Sequence, residues 1–124
     1  MLILTIKNLK ITIMSKFDEV VAKAADQLKK VGVSADEALL RAVAKSQGPS
    51  IYLRDASLVS CGDDVELKRV EDNFIVKKLG VTNDSDIKKA IEKACAKFKP
   101  INQKMRVAFY YFLVKDLKKE SLFV

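Results

Sequence analysis

The chain has 124 residues, 49% of them hydrophobic and 31% charged, with a formal net charge of +7. That length fits a single domain able to bury a real core, and that balance excludes a disordered chain. There is no histidine, which rules out a Ser-His-Asp triad, a Cys-His dyad or a His-ligated zinc site, and no apolar run reaches the roughly 18 residues of a membrane-spanning helix.

The excess of 23 Lys and Arg over 16 Asp and Glu admits two readings. One is a polyanion partner; the other is a solvated surface rich in lysine. Cys61 and Cys95 are too far apart in sequence for a metal-ligand pair. With no secretory signal, the expected state is two free thiols in a reducing cytoplasm. Cys95 falls on the apolar stripe of a predicted helix, which assigns it the role of a small buried hydrophobe. Carboxylate or lysine chemistry stays open, but no motif marks it, and no cofactor or metal is expected.

Residues 1–13, MLILTIKNLKITI, alternate partly between apolar and polar, a strand-like pattern. Lys7 and Lys10 interrupt the segment and no basic region precedes it, so it makes a poor signal peptide. Met14-Ser15-Lys16-Phe17 reads as a natural start. The expectation is that residues 1–13 are a start-site overcall; the competing reading is an extended arm packed on the domain or on a partner. Residues 14–124 then form one helical domain, whose charge without Lys7 and Lys10 is +7 less 2, or +5.

The first helix begins after Ser15. Phe17, Val20, Val21, Ala24, Leu28 and Val31 recur at three- and four-residue steps and give one apolar face. Gly32 ends it. Ser34 is expected to cap the next helix, with Glu37 completing a capping box, and Leu39, Ala42 and Val43 facing inward. Gly48-Pro49 stops that helix. Residues 50–62 are less regular, with a short helical turn expected after Pro49 and turn residues at Asp55 and Ser57. Asp63 starts a third helix, with Leu67, Val70, Phe74, Ile75 and Leu79 on its apolar side and Gly80 as its stop. Thr82 or Asn83 caps a fourth, striped by Ile87, Ala90, Ile91, Ala94, Cys95 and Phe98. Pro100 separates it from a last helix over about residues 102–118. Met105, Ala108, Phe109, Tyr110, Tyr111, Phe112, Leu113, Val114 and Leu117 make that helix apolar on most sides, as befits a central element. The tail, Ser121-Leu122-Phe123-Val124, is apolar and is expected to dock back or to contact a second subunit.

Residues 28–45 and 76–93 match without gaps. Lys29-Lys30 pairs with Lys77-Lys78, Gly32-Val33 with Gly80-Val81, Asp36 with Asp84, and Leu39, Ala42, Val43 with Ile87, Ala90, Ile91. Duplication and convergence on good capping chemistry both explain this. The turns look like those of DNA-binding helix-turn-helix proteins, but the register argues otherwise. The inward positions of that motif would hold Ala38 and Arg41 in one hairpin and Asp86 and Lys89 in the other. The apolar residues come one place later, a rotation of about 100°. The paired lysines sit in predicted last turns, where cations suit the negative helix end. Asp63-Asp64 and Asp84-Ser85-Asp86 lack the ligand spacing of a calcium loop and read as caps.

The most distinctive stretches are Gly48-Pro49-Ser50-Ile51-Tyr52 and Asp55-Ala56-Ser57-Leu58-Val59-Ser60-Cys61. With them go Asn73-Phe74, Lys77-Lys78-Leu79-Gly80 and Phe109-Tyr110-Tyr111-Phe112-Leu113-Val114. Together they resemble a small bacterial family of unknown function, domain of unknown function 2853. The resemblance covers essentially residues 14–123. It implies a compact helical protein and implies no activity.

The combined expectation is an all-α fold: a compact bundle of about five main helices, built from two helical hairpins plus a long apolar C-terminal helix. The expected function is a non-enzymatic protein-interaction or self-associating module. Its candidate interaction segment is Pro49, Ser50, Ile51, Tyr52, Arg54, Asp55, Ser57 and Cys61, with the apolar tail; its partner is an unknown protein or a second copy. The alternative is weak, nonspecific binding of nucleic acid or another polyanion through Lys29, Lys30, Lys77, Lys78, Lys88 and Lys89.

Overall fold

The computed structural model describes residues 15–124. The two readings of residues 1–13 lie outside the described residues. The first helix, α1 (Lys16–Lys30), starts at a reciprocal capping box: the Ser15 hydroxyl accepts the Asp18 N–H and the Asp18 carboxylate accepts the Ser15 N–H. It buries Val21, Ala24 and Leu28. Gly32 takes φ +82°, and the Val33 N–H closes onto the Leu28 carbonyl, so glycine supplies the left-handed residue that ends the helix.

Helix α2 (Glu37–Ser46) corrects the expected cap. Its N-cap is Asp36, whose carboxylate accepts the Leu39 N–H, and not Ser34. The cause is a distant contact. The Asp36 N–H donates to the Tyr111 hydroxyl at 2.8 Å, which holds residue 36 extended and places Glu37 at the first helical position. Gly48, at φ +67°, and Pro49 then lead into a 3-10 turn, Gly48–Tyr52.

Next comes strand β1 (Leu58–Val59), and then α3 (Asp64–Arg69), capped by Asp63 as expected. The α3 helix runs directly into a π-helical stretch, Val70–Val76. One extra residue enters the closing turn: the Val81 N–H reaches back six residues to the Ile75 carbonyl, where the matching Val33 reaches back five. The two hairpins are therefore alike in sequence and one residue apart in register. Helix α4 (Asp84–Lys97) is capped by Asn83 and buries Ile87, Ala90 and Ala94, while Asp86 and Lys89 are exposed.

The fold is mostly helical, with five α-helices among the described residues, and it departs from the all-α expectation in one place. Strand β2 (Lys104–Met105) pairs antiparallel with β1, Leu58 opposite Met105 and Val59 opposite Lys104. That pairing takes the residues expected to open the last helix. Consequently α5 spans only Arg106–Asp116, shorter than the long helix expected, and Lys118 turns away at φ 57°. It is nevertheless the centre of the fold. Seven of its residues are buried, and it packs on α1, α2 and α4. Gln27 ties α1 to its entrance, with Nε2 donating to the Gln103 carbonyl and Oε1 accepting the Met105 N–H. A short 3-10 turn, Glu120–Leu122, ends the chain; Phe123 packs on the core, and Leu122 and Val124 stay exposed.

The cysteines are also corrected. Cys61 and Cys95 form a disulfide, with Cα atoms 5.8 Å apart. The turn after β1 lays Cys61 against the half-buried position of Cys95 on α4, a closeness that a sequence separation of 34 conceals.

Candidate functional site

Arg106 begins the most apolar helix of the chain and is almost entirely committed. Its Nε donates to the Ala56 carbonyl at 2.7 Å, Nη1 to the Tyr110 hydroxyl at 3.0 Å, and Nη2 to the Leu58 carbonyl at 2.9 Å and to the Glu66 carboxylate. Its backbone N–H donates to the Ser57 carbonyl at 2.7 Å. One side chain thus clamps residues 56–58 to α3 and α5. Burial opposes its charge, but Tyr110 and Glu66 beside it outweigh that and raise its pKa. Burial likewise holds the Tyr110 phenol above its ordinary pKa, against the opposing pull of Arg106. Tyr110 stacks on Phe74, centroids 3.7 Å apart and planes within 13°.

Around this clamp lies a cleft of about 600 Å³. The end of α2 contributes Gln47, the following segment Ser50 and Asp55, α3 Glu66 and Arg69, the π stretch Asn73 and Phe74, and the turn beyond it Lys78. Gln47 Oε1 is buried and accepts no hydrogen bond among the described residues, while its Nε2 donates to the Val43 carbonyl.

The candidate interaction segment divides between several environments. Ser50 and Asp55 line the cleft. Ile51 joins the core at 5% exposure, whereas Tyr52 and Leu53 are 47% and 59% exposed. Pro49 and Arg54 are exposed; the Ser57 hydroxyl donates to the Arg54 carbonyl; Cys61 is in the disulfide. A second groove, about 740 Å³, lies between Tyr52, Leu58 and the Val20 side of α1.

The six candidate lysines do not converge. Lys29 and Lys30 end α1, Lys88 and Lys89 lie on α4, and Lys77 and Lys78 follow the π stretch. Lys30 pairs with Asp26 at 3.3 Å. Only Lys78 joins other cations, Arg69 and Arg106, at the cleft. Sequence reading missed Gln47, Glu66, Arg69 and Arg106. The one available signal was Arg106, a lone charge at the head of an apolar run. Among the described residues no group of three or more His, Cys, Asp or Glu is placed to hold a metal, and no helix is long and apolar enough to cross a membrane.

A family profile described as "Protein of unknown function (DUF2853)" matches residues 22–121. The chain belongs to this family. Its description carries no activity, and no curated protein matches the chain. In this DUF2853 chain, the distinctive stretches around Ser50, Asp55, Asn73, Lys78 and Tyr110, far apart in sequence, meet at one cleft.

Proposed function

We propose that this DUF2853 chain is a non-enzymatic binding module that presents segment 48–61 to a protein partner. One observation carries the reading. The segment is fixed by the Arg106 clamp at residues 56–58 and by the disulfide at Cys61, yet it holds Tyr52 and Leu53 out at 47% and 59% exposure. A surface ordered before contact avoids part of the entropic cost of association, and aromatic side chains on such surfaces carry a large share of binding energy.

The net charge of +7 disfavours a second copy and favours an acidic protein with an apolar pocket for Tyr52 and Leu53. The test is affinity capture with the wild-type chain and a Tyr52→Ala/Leu53→Asp variant, both nuclease-treated and checked for an unchanged circular dichroism spectrum. An acidic partner held by the wild type and weakened at least about tenfold by the variant supports the reading. Equal capture by both chains overturns it, as does a wild-type chain that stays monomeric and captures nothing.

A second reading, weak polyanion binding, rests on Lys29, Lys77, Lys88 and Lys89, which are exposed and make no ion pair among the described residues. Its signature is steep loss of nucleic-acid binding with added salt. No binding at low salt removes it.

A further inference from the structure

Of the helices α1 to α5, only α3 (Asp64–Arg69) buries no residue. Its first amides bond within its own segment: Val65 and Glu66 donate to the Asp63 carboxylate, and Leu67 to the Asp63 carbonyl. Among the described residues, Lys68 and Arg69 pair only with Glu66, Glu71 and Asp72 of the same continuous stretch. An element with so little buried apolar surface opens at low free energy unless it is tied down. Two ties cross from it to the body of the fold. One is the Glu66 carboxylate on the Arg106 guanidinium. The other is the Cys61–Cys95 disulfide, two residues before the cap Asp63. Leu67 adds partly buried packing on the core.

The second tie is within reach of a thiol in solution. Cys61 is half-buried, in a turn closed by the Asp63 N–H on the Ser60 carbonyl at 3.2 Å. It lines a groove of about 390 Å³ with Ser60, Gly62, Asn102 and Lys104, and Cys95 on α4 is half-buried as well. The rest of the fold does not depend on the bond for its packing: the β1–β2 pairing, the buried Ile51 and Val59 and the core around α5 lie outside it. Breaking it therefore takes a tie from α3 and leaves the core in place.

We propose that this disulfide is a reversible latch on α3, which makes the chain a sensor of thiol–disulfide balance. A small thiolate of the glutathione class attacks Cys61 Sγ. A mixed disulfide forms, the Cys61–Cys95 bond breaks, and Cys95 leaves as a thiolate. A second thiolate attacks the reagent's sulfur of the mixed disulfide and releases Cys61. The two cysteine thiolates take up the two protons that the attacking thiols gave up. Two reagent thiols are thereby oxidised to one disulfide while the chain gains two thiols, and the reagent's disulfide reverses each step. With the latch open, residues 60–69 rely on the Glu66–Arg106 pair and on Leu67, and they exchange between docked and open positions. The open form removes Glu66 and Arg69 from one wall of the cleft and strips Arg106 of its carboxylate. Tyr52 and Leu53 keep their places in both states, so the inference does not rest on the binding reading above.

The test is amide hydrogen exchange of the full chain, oxidised and then treated with millimolar glutathione, in a series of low urea concentrations. Thiol labelling reads the state of the bond. Glutathione without denaturant should open it, and oxidised glutathione should close it again. On opening, the Val65, Glu66 and Leu67 amides should exchange at least about tenfold faster, at a rate that low urea leaves unchanged, the mark of a local opening. The amides of α5 should follow urea, as groups freed only by global unfolding do. Cys61→Ser/Cys95→Ser reaches the open state without reagent. It should show the α3 rates of the reduced wild type and no response to glutathione. A bond that stays closed in glutathione overturns the proposal. So do α3 rates that reduction leaves unchanged, and α3 rates that rise with urea in step with those of α5, which would make the bond a brace of the whole fold alone.

Discussion

Arg106 shows how much of this fold rests on donor geometry at one position. A guanidinium offers five N–H groups in a rigid fork, and the bonds to Ala56, Leu58, Tyr110 and Glu66 use four of them. Arg106 and Glu66 side chains are each only 14% exposed. Removing the cation leaves a largely buried carboxylate with only the more distant Arg69, 3.9 Å away, beside it, so Arg106→Ala is expected to cost roughly 3 kcal/mol in a urea titration. Lysine carries a point charge with no fork, so Arg106→Lys is expected to recover only a minor part of that loss. Tyr110 adds a pH dependence. Its phenol is held above the ordinary value by burial. The unfolded chain therefore ionises first as pH rises. Tyr110 contributes its full stability below about pH 10, the unfolded value, and loses it as pH climbs through the higher folded value. The stability gap between the wild type and Tyr110→Phe should accordingly narrow above that pH.

At the scale of elements, the two caps of α2 make a direct comparison. Asp36→Ala removes the side chain that accepts the Leu39 N–H and should cost about 1 kcal/mol. Ser34→Ala, at an exposed position outside the helix, should fall within about 0.5 kcal/mol of wild type. Thermal unfolding of the two variants separates them. Gly80, at φ +72° with nothing within 4 Å of an added Cβ, isolates backbone strain from packing, and Gly80→Ala should cost roughly 1–2 kcal/mol. These positions also mark what the sequence could disclose. Glycine stops at 32 and 80, caps at Asp63 and Asn83, and the stripes of α1 and α4 are local signals, and they were legible. Ser34 misled because its spacing to Glu37 fits a capping box, while the group that decides the matter, the Tyr111 hydroxyl, lies 75 residues away. The π stretch was hidden because Val70, Phe74, Ile75 and Leu79 suit an ordinary helix equally well. Two-residue strands carry no period at all. At the cleft, Ser50, Asp55 and Lys78 stood out by type. Gln47 and Glu66 did not, since only their surroundings distinguish them from other polar helix residues.

The disulfide acts on the whole molecule, because the chain it closes contains α3, the π stretch and most of α4. It also spans Glu66, Arg69, Asn73 and Lys78 of the cleft. Closing a loop of 34 residues restricts the unfolded chain by roughly 3–4 kcal/mol on the chain-entropy account. Reductant should therefore lower the unfolding free energy read from a denaturant titration by that amount, and Cys61→Ser/Cys95→Ser should lower it equally, with no further response to reductant. The single variants should match the double, since either alone opens the loop. The compartment decides whether this stabilisation operates. A reducing cytoplasm, the setting first expected from the sequence, keeps thiols apart and withholds it, so there segment 48–61 is held by the Arg106 clamp, the β1–β2 pairing and the buried Ile51 and Val59. Arg106→Ala should then be far more damaging in the reduced chain than in the oxidised one, a coupling readable as a difference between two denaturation midpoints. Equal losses in both redox states would mean that clamp and disulfide brace separate parts of the molecule.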